Sequence, residues 1–156
     1  MFAAVALSAA DWSQFRGPGG QGISEEKSLP TEWSATRNIA WKTAIPGAGH
    51  SSPVVVGGKI FLTTAIEGRV VPGVTPPEHF FRKRVYTQPD WAQPGRHWTL
   101  KLLCLDAKTG SLLWERTAYD DTIADYRHRA NTYASPSAVT DGQRVAVRTR
   151  ASSRTM

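Results

Sequence analysis

The side chains best suited to proton transfer or metal binding near neutral pH are four histidines, His50, His79, His97 and His128. None lies three or four residues from another, so the sequence writes no helical zinc pair. His79 and His97 share one Pro-rich segment with Glu78 and Asp90, and convergence of these four would make a small polar site. Asp120, Asp121 and Asp125 supply carboxylates but lack the alternating ligands and central Gly of an EF-type calcium loop, so they read as a solvated linker. Gly49-His50-Ser51-Ser52-Pro53 sets a His beside Ser yet lacks the second Gly and the strand-to-helix turn of a nucleophile elbow. Ser51 and Ser52 read instead as the start of a strand. Gly17-Pro18-Gly19-Gly20-Gln21-Gly22 follows no strand, precedes no helix and has lost an N–H donor at Pro18, so it reads as a turn rather than a phosphate cradle. No catalytic or metal-ligating set emerges.

Cys104 is the only cysteine, which rules out an internal disulfide and any Cys-x-x-Cys metal site. It stands in the apolar run Leu102-Leu103-Cys104-Leu105 and reads as a small buried hydrophobe. The formal charge is +6 with a pI near 9.8. Half of that excess is Arg148, Arg150 and Arg154 at the end of the chain, and a second basic knot, Arg82-Lys83-Arg84, follows Phe80-Phe81. Cations beside aromatics can hold a single nucleic-acid strand, but this knot reads as a solvated loop and no nucleic-acid partner is expected. No apolar run approaches the roughly 20 residues that span a bilayer. With 13 Gly, 10 Pro and 6 Trp among 156 residues, the composition is turn-rich and aromatic-rich and leans to all-β structure.

A repeat supplies the elements. Ile39-Ala40-Trp41-Lys42-Thr43 resembles Leu112-Leu113-Trp114-Glu115-Arg116. Each is followed by a Ser-Pro strand opening, a turn and a second strand: Ser52-Pro53-Val54-Val55-Val56-Gly57-Gly58-Lys59-Ile60-Phe61, and then Ser135-Pro136-Ser137-Ala138-Val139-Thr140-Asp141-Gly142-Gln143-Arg144-Val145. Gly57-Gly58 and Asp141-Gly142 suit the positive φ of tight primed hairpin turns. Between the copies lies a second hairpin: Lys101–Leu105, a turn Asp106-Ala107-Lys108-Thr109-Gly110, and a returning strand Ser111–Glu115. Asp106 can accept bonds from N–H groups two and three positions on, and Gly110 can leave the turn in the left-handed region. Joined in order these make a four-stranded antiparallel meander, the unit of a β-propeller blade. The structural repeat positions are Trp41, Pro53, Gly58, Asp106, Gly110, Trp114, Pro136 and Gly142. One buried Trp per blade removes some 150–250 Å² from water, an upper bound of roughly 4–6 kcal/mol towards holding neighbours together.

Residues 1–10 are small and apolar and end Ser8-Ala9-Ala10, which reads as the remnant of an export signal. Residues 11–147 carry the repeats. Within them, 66–98 read as a loop insertion between the second and third strands of the first blade, and 119–131 as a polar linker. Residues 148–156 break the pattern and read as an aberrant, disordered tail left by a truncated or frame-shifted reading frame.

Leu103-Cys104-Leu105-Asp106-Ala107-Lys108-Thr109-Gly110-Ser111-Leu112-Leu113-Trp114 resembles the repeat signature of the pyrroloquinoline-quinone-like (PQQ-like) β-propellers. Asp11-Trp12-Ser13-Gln14-Phe15-Arg16-Gly17-Pro18, Trp41-Lys42 and His50-Ser51-Ser52-Pro53-Val54-Val55 are similar to the opening of bacterial exported members. Arg116–Tyr119 and His128–Pro136 resemble the second blade of the same group. The resemblance implies a ring of about seven or eight blades, of which this chain holds about one and a half. It also implies an exported, periplasmic or extracellular protein. Members of this fold include quinone-dependent dehydrogenases, which bring Ca²⁺ held by carboxylates and a vicinal Cys pair, and scaffolds related to the outer-membrane-protein assembly propeller. Cys104 has no neighbouring Cys, so neither PQQ nor Ca²⁺ is expected on this chain. The expected function is a non-catalytic exported scaffold that binds a protein or another ligand; the alternative is the N-terminal part of a quinone-dependent dehydrogenase with its catalytic residues downstream.

Overall fold

The computed structural model describes residues 11–27, 29–86, 91–92 and 94–148; the export-signal reading of 1–10, Asp90 and all but Arg148 of the tail lie outside them. The described residues form an all-β molecule with antiparallel pairing throughout and one short 3-10 turn, Pro18–Gly20. Its strands are β1 (Val54–Val56), β2 (Lys59–Val70), β3 (Phe80–Phe81), β4 (Arg84–Val85), β5 (Trp91–Ala92), β6 (Arg96–Asp106), β7 (Leu112–Ile123), β8 (Arg127–His128), β9 (Val139–Thr140) and β10 (Val145–Ala146).

The main sheet is the expected meander, β1-β2-β6-β7. Gly57 and Gly58 both take positive φ, 56° and 73°, and close the two-residue turn that pairs Val56 with Lys59. At the same end of the sheet, the Asp106 carboxylate accepts the N–H groups of Lys108 (2.9 Å) and Thr109 (2.8 Å) and the Thr109 hydroxyl. Gly110, at φ 72°, donates its N–H back to the Asp106 carbonyl. Asp106 and Gly110 therefore do what their side-chain and backbone chemistry dictates.

Register places Val54, Phe61, Cys104 and Trp114 in one row across all four strands. With Leu102 they make an apolar face, and the second copy lies on it: Ala138 is buried in the cluster while Val145 and Val147 pack against it. Further along β6, Leu100 and Trp98 continue the face under Ala134 and Tyr133. The other face buries Leu103, Leu105 and Thr64. There the segment from Trp41 to Pro46 runs from the Asp106–Gly110 turn to β2, where the Thr64 hydroxyl donates to the Pro46 carbonyl. One sheet thus has a cover on each face.

Several boundaries differ from the sequence reading. The β2–β6 ladder runs on to Val70 and starts at Arg96, so the insertion proper is 71–95 rather than 66–98. Strand β7 runs to Ile123, well into the supposed linker, because an edge strand can carry Glu115, Arg116, Asp120 and Asp121 outward without losing its ladder. The Asp141-Gly142 hairpin is not a two-residue primed turn. Its strands pair Thr140 with Val145, leaving a four-residue loop in which Asp141 accepts from Gln143 and Arg144, and only Gly142 takes positive φ.

These carboxylate-centred turns make an acid limb to stability. Backbone and hydroxyl donors of Thr109 hold Asp106 below the usual carboxylate range, and the N–H groups of Arg144 and Gln143 do the same for Asp141. A lowered folded-state pKa contributes stability that is present above the unfolded value and lost as pH falls through the folded one. Urea midpoints are expected to fall below about pH 4, and Asp106→Asn to flatten that fall. An unchanged acid limb in Asp106→Asn would contradict the assignment.

Candidate functional site

Two places in the molecule concentrate specific chemistry: the interface between repeat copies, and the insertion 71–95.

At the first, the indole N–H of Trp41 donates to the Ala107 carbonyl at 3.0 Å, and the Thr43 hydroxyl donates to the Gly110 carbonyl at 2.7 Å. The ring lies so close to the turn that a Cβ on residue 110 would sit 2.3 Å from its Cε3. Gly110 is thus required twice, by its φ and by the ring above it. Trp41 belongs to no strand among the described residues, whereas Trp114 sits in β7 against Phe61 with ring centroids 5.9 Å apart. The two tryptophans therefore share a sequence context without sharing a local structure: the 39–45 segment spends its bonds on the turn instead of on a partner strand.

The two Ser-Pro openings, those of Pro53 and Pro136, meet side by side. The Ala134 carbonyl accepts the N–H groups of His50 and Ser51, and the Thr63 hydroxyl reaches both it and the Pro136 carbonyl at 3.2 Å. Ser52 donates its N–H to the Ser137 hydroxyl at 2.8 Å. The His50 and Ser51 N–H groups accordingly serve backbone pairing with the second copy, whereas the strand that Ser51 and Ser52 were expected to start begins only at Val54. The Cys104 thiol lies beneath, fully buried, and burial pushes its pKa up.

The insertion builds a second feature that sequence reasoning missed. β3 and β4 form a hairpin pairing Phe80 with Val85 and Phe81 with Arg84, extended by a bond from the Tyr86 N–H to the His79 carbonyl. Its root is a stack of rings: Trp91 on Tyr126 with centroids 4.8 Å apart, His79 edge-on to Trp91 at 5.0 Å, and Tyr86 edge-on to Trp91 at 5.9 Å. The His79 Nε2 is 2.8 Å from Asp125 Oδ1, and Asp125 lends its carbonyl to the Tyr133 hydroxyl. Burial pushes that phenol up to about 12. His97 goes elsewhere, its Nε2 3.8 Å from Asp120, whose carboxylate also accepts from Thr99. His79 and His97 do not converge; Asp120 stays exposed on β7 beside His97 and Thr99 of β6, and of the three acids read as a solvated linker it is Asp125 that pairs with the insertion, through His79. Among the described residues no group of three His, Cys, Asp or Glu side chains converges. The His79–Asp125 pair, flanked by the Trp91 and Tyr126 rings, ties the insertion to the segment that follows β7.

The sequence signal for this root was the crowding of aromatics around the prolines of 71–95, although its ring partner Tyr126 and acid partner Asp125 lie far along the chain. No family model, curated protein or solved structure matches the chain.

Proposed function

We propose that this chain is part of an exported, repeat-built β-propeller scaffold that binds a protein or another ligand without catalysing a reaction. The observation that carries the reading is the packing of one copy on the other: Ala138, Val145 and Val147 of the second copy close over the Val54–Phe61–Cys104–Trp114 row of the first. Repeats that cannot hide both faces of a sheet alone stack on further copies. Several polar side chains are engaged in this architecture. Ser51, Thr63, Asp106 and Asp141 direct their oxygens at backbone partners, which fixes turns and the contact between copies. Export is supported by the small apolar run that ends Ser8-Ala9-Ala10.

The test is a titration of a full-length form carrying the complete ring with pyrroloquinoline quinone and Ca²⁺, followed by tryptophan fluorescence and by dye reduction with alcohols and sugars. The scaffold reading expects neither saturable quenching nor turnover. Stoichiometric quinone uptake with dye reduction would establish the dehydrogenase reading in its place.

A further inference from the structure

We infer that the β3–β4 hairpin is a docking element for an anionic lipid surface. At its tip stand three consecutive cations, Arg82, Lys83 and Arg84, and among the described residues none of them has an ion-pair partner. Beside them Phe80, Phe81 and Val85 are 63%, 61% and 60% exposed. Register puts Phe80 and Val85 on one face of the hairpin and Phe81 with Arg84 on the other, so each face carries an exposed aromatic ring and one of them a cation as well. A flat protein partner covers one face of a ribbon. The headgroup region of a bilayer surrounds a ribbon on both sides, takes aromatic rings at its apolar boundary and matches cations with phosphates.

The turn adds an independent argument. Arg82 and Lys83 occupy its two central positions at φ 50° and 65°, where Asn-Gly is the undemanding choice. Long side chains held in the left-handed region are strained, and the turn they make sets two cations side by side between β3 and β4. Arg82 also lies over the Phe81 ring, 5.3 Å from its centroid, which keeps charge and apolar surface together. Trp91, Tyr126 and the His79–Asp125 pair hold the base of the hairpin and so fix its direction. The inference does not depend on how many repeat copies the protein has.

The experiment is co-sedimentation of the whole chain with phosphatidylcholine vesicles, with and without phosphatidylglycerol, at low and high salt. Binding is expected only with phosphatidylglycerol and is expected to weaken with salt. The double substitution Arg82→Asn with Lys83→Gly relaxes the turn, so the fold should persist by circular dichroism. Affinity should nonetheless drop about twenty-five-fold, at roughly fivefold per cation. Phe80→Ser with Phe81→Ser should abolish sedimentation. Equal binding to neutral vesicles, an unaffected Arg82/Lys83 variant, or tighter binding to a single-stranded oligonucleotide or an acidic peptide would each overturn the inference.

Discussion

Gly110→Ala is expected to destabilise the protein by about 3–4 kcal/mol, and most of that loss should disappear when Trp41 is already absent. Two effects combine in the single substitution. An alanine held at φ 72° costs about 1–2 kcal/mol in backbone strain. Its methyl group would also fall 2.3 Å from Cε3 and 2.5 Å from Cδ2 of the Trp41 ring, which must then leave the turn. Full burial makes a Trp→Ala truncation worth about 3–5 kcal/mol; Trp41 is only half-buried, so the displaced ring contributes about 2 kcal/mol. Trp41→Ala by itself should cost about the same 2 kcal/mol, the indole bond to the Ala107 carbonyl included. In the double variant the ring is gone, and Gly110→Ala adds only its backbone strain. Urea unfolding of the four proteins should give a coupling of about 2 kcal/mol. Strictly additive losses would mean that the ring does not rest on the turn.

The second large effect concerns the contact between copies. Ala138 is 2% exposed within the cluster that contains Cys104, so Ala138→Asp would place a carboxylate with no cationic partner in an apolar face. Such a group costs about 3 kcal/mol or more even after relaxation. The thiol reports the result. Cys104 is fully buried with its pKa raised by burial, so a disulfide reagent should react with it only through opening of the structure. Loss of about 3 kcal/mol should speed that reaction about a hundredfold at constant pH. Labelling at the unaltered rate in Ala138→Asp would show that the second copy does not cover the sheet.

How far the sequence disclosed this architecture depends on the range of the interactions involved. Gly57-Gly58 and Asp106–Gly110 were legible because the residues that set each turn are neighbours, and their donors and acceptors lie within a few positions. The pairing of β2 with β6 followed from apolar patterning on either side of the insertion. Strand β7 outruns its sequence signal because its outward residues are charged. The periodicity that would announce it is carried by few inward positions, Trp114, Tyr119 and Ile123 among them. Asp141-Gly142 misled for a different reason: the dipeptide fits a primed turn, but the carboxylate found two N–H donors in a wider loop.

The insertion was the least legible region. Arg82-Lys83 has no turn propensity to signal a hairpin, and its position is set by rings that the chain brings together from Trp91 and Tyr126. The sequence context of Trp41 marks a repeat position but carries no signal that the indole sits on the Asp106–Gly110 turn rather than within a strand. A contact between residues so far apart is written in neither local segment. It arises because a turn with a glycine exit leaves backbone bare enough for a ring to lie flat on it.

The most direct measurement is a nuclear Overhauser spectrum of the labelled chain. If repeat copies cover the two faces of one sheet, the Gly110 α-protons should lie upfield and show cross-peaks to the Trp41 ring, while the Ala138 methyl shows cross-peaks to Val54 and Phe61. A spectrum in which the Trp41 indole proton exchanges freely and the Ala138 methyl contacts neither residue would contradict it.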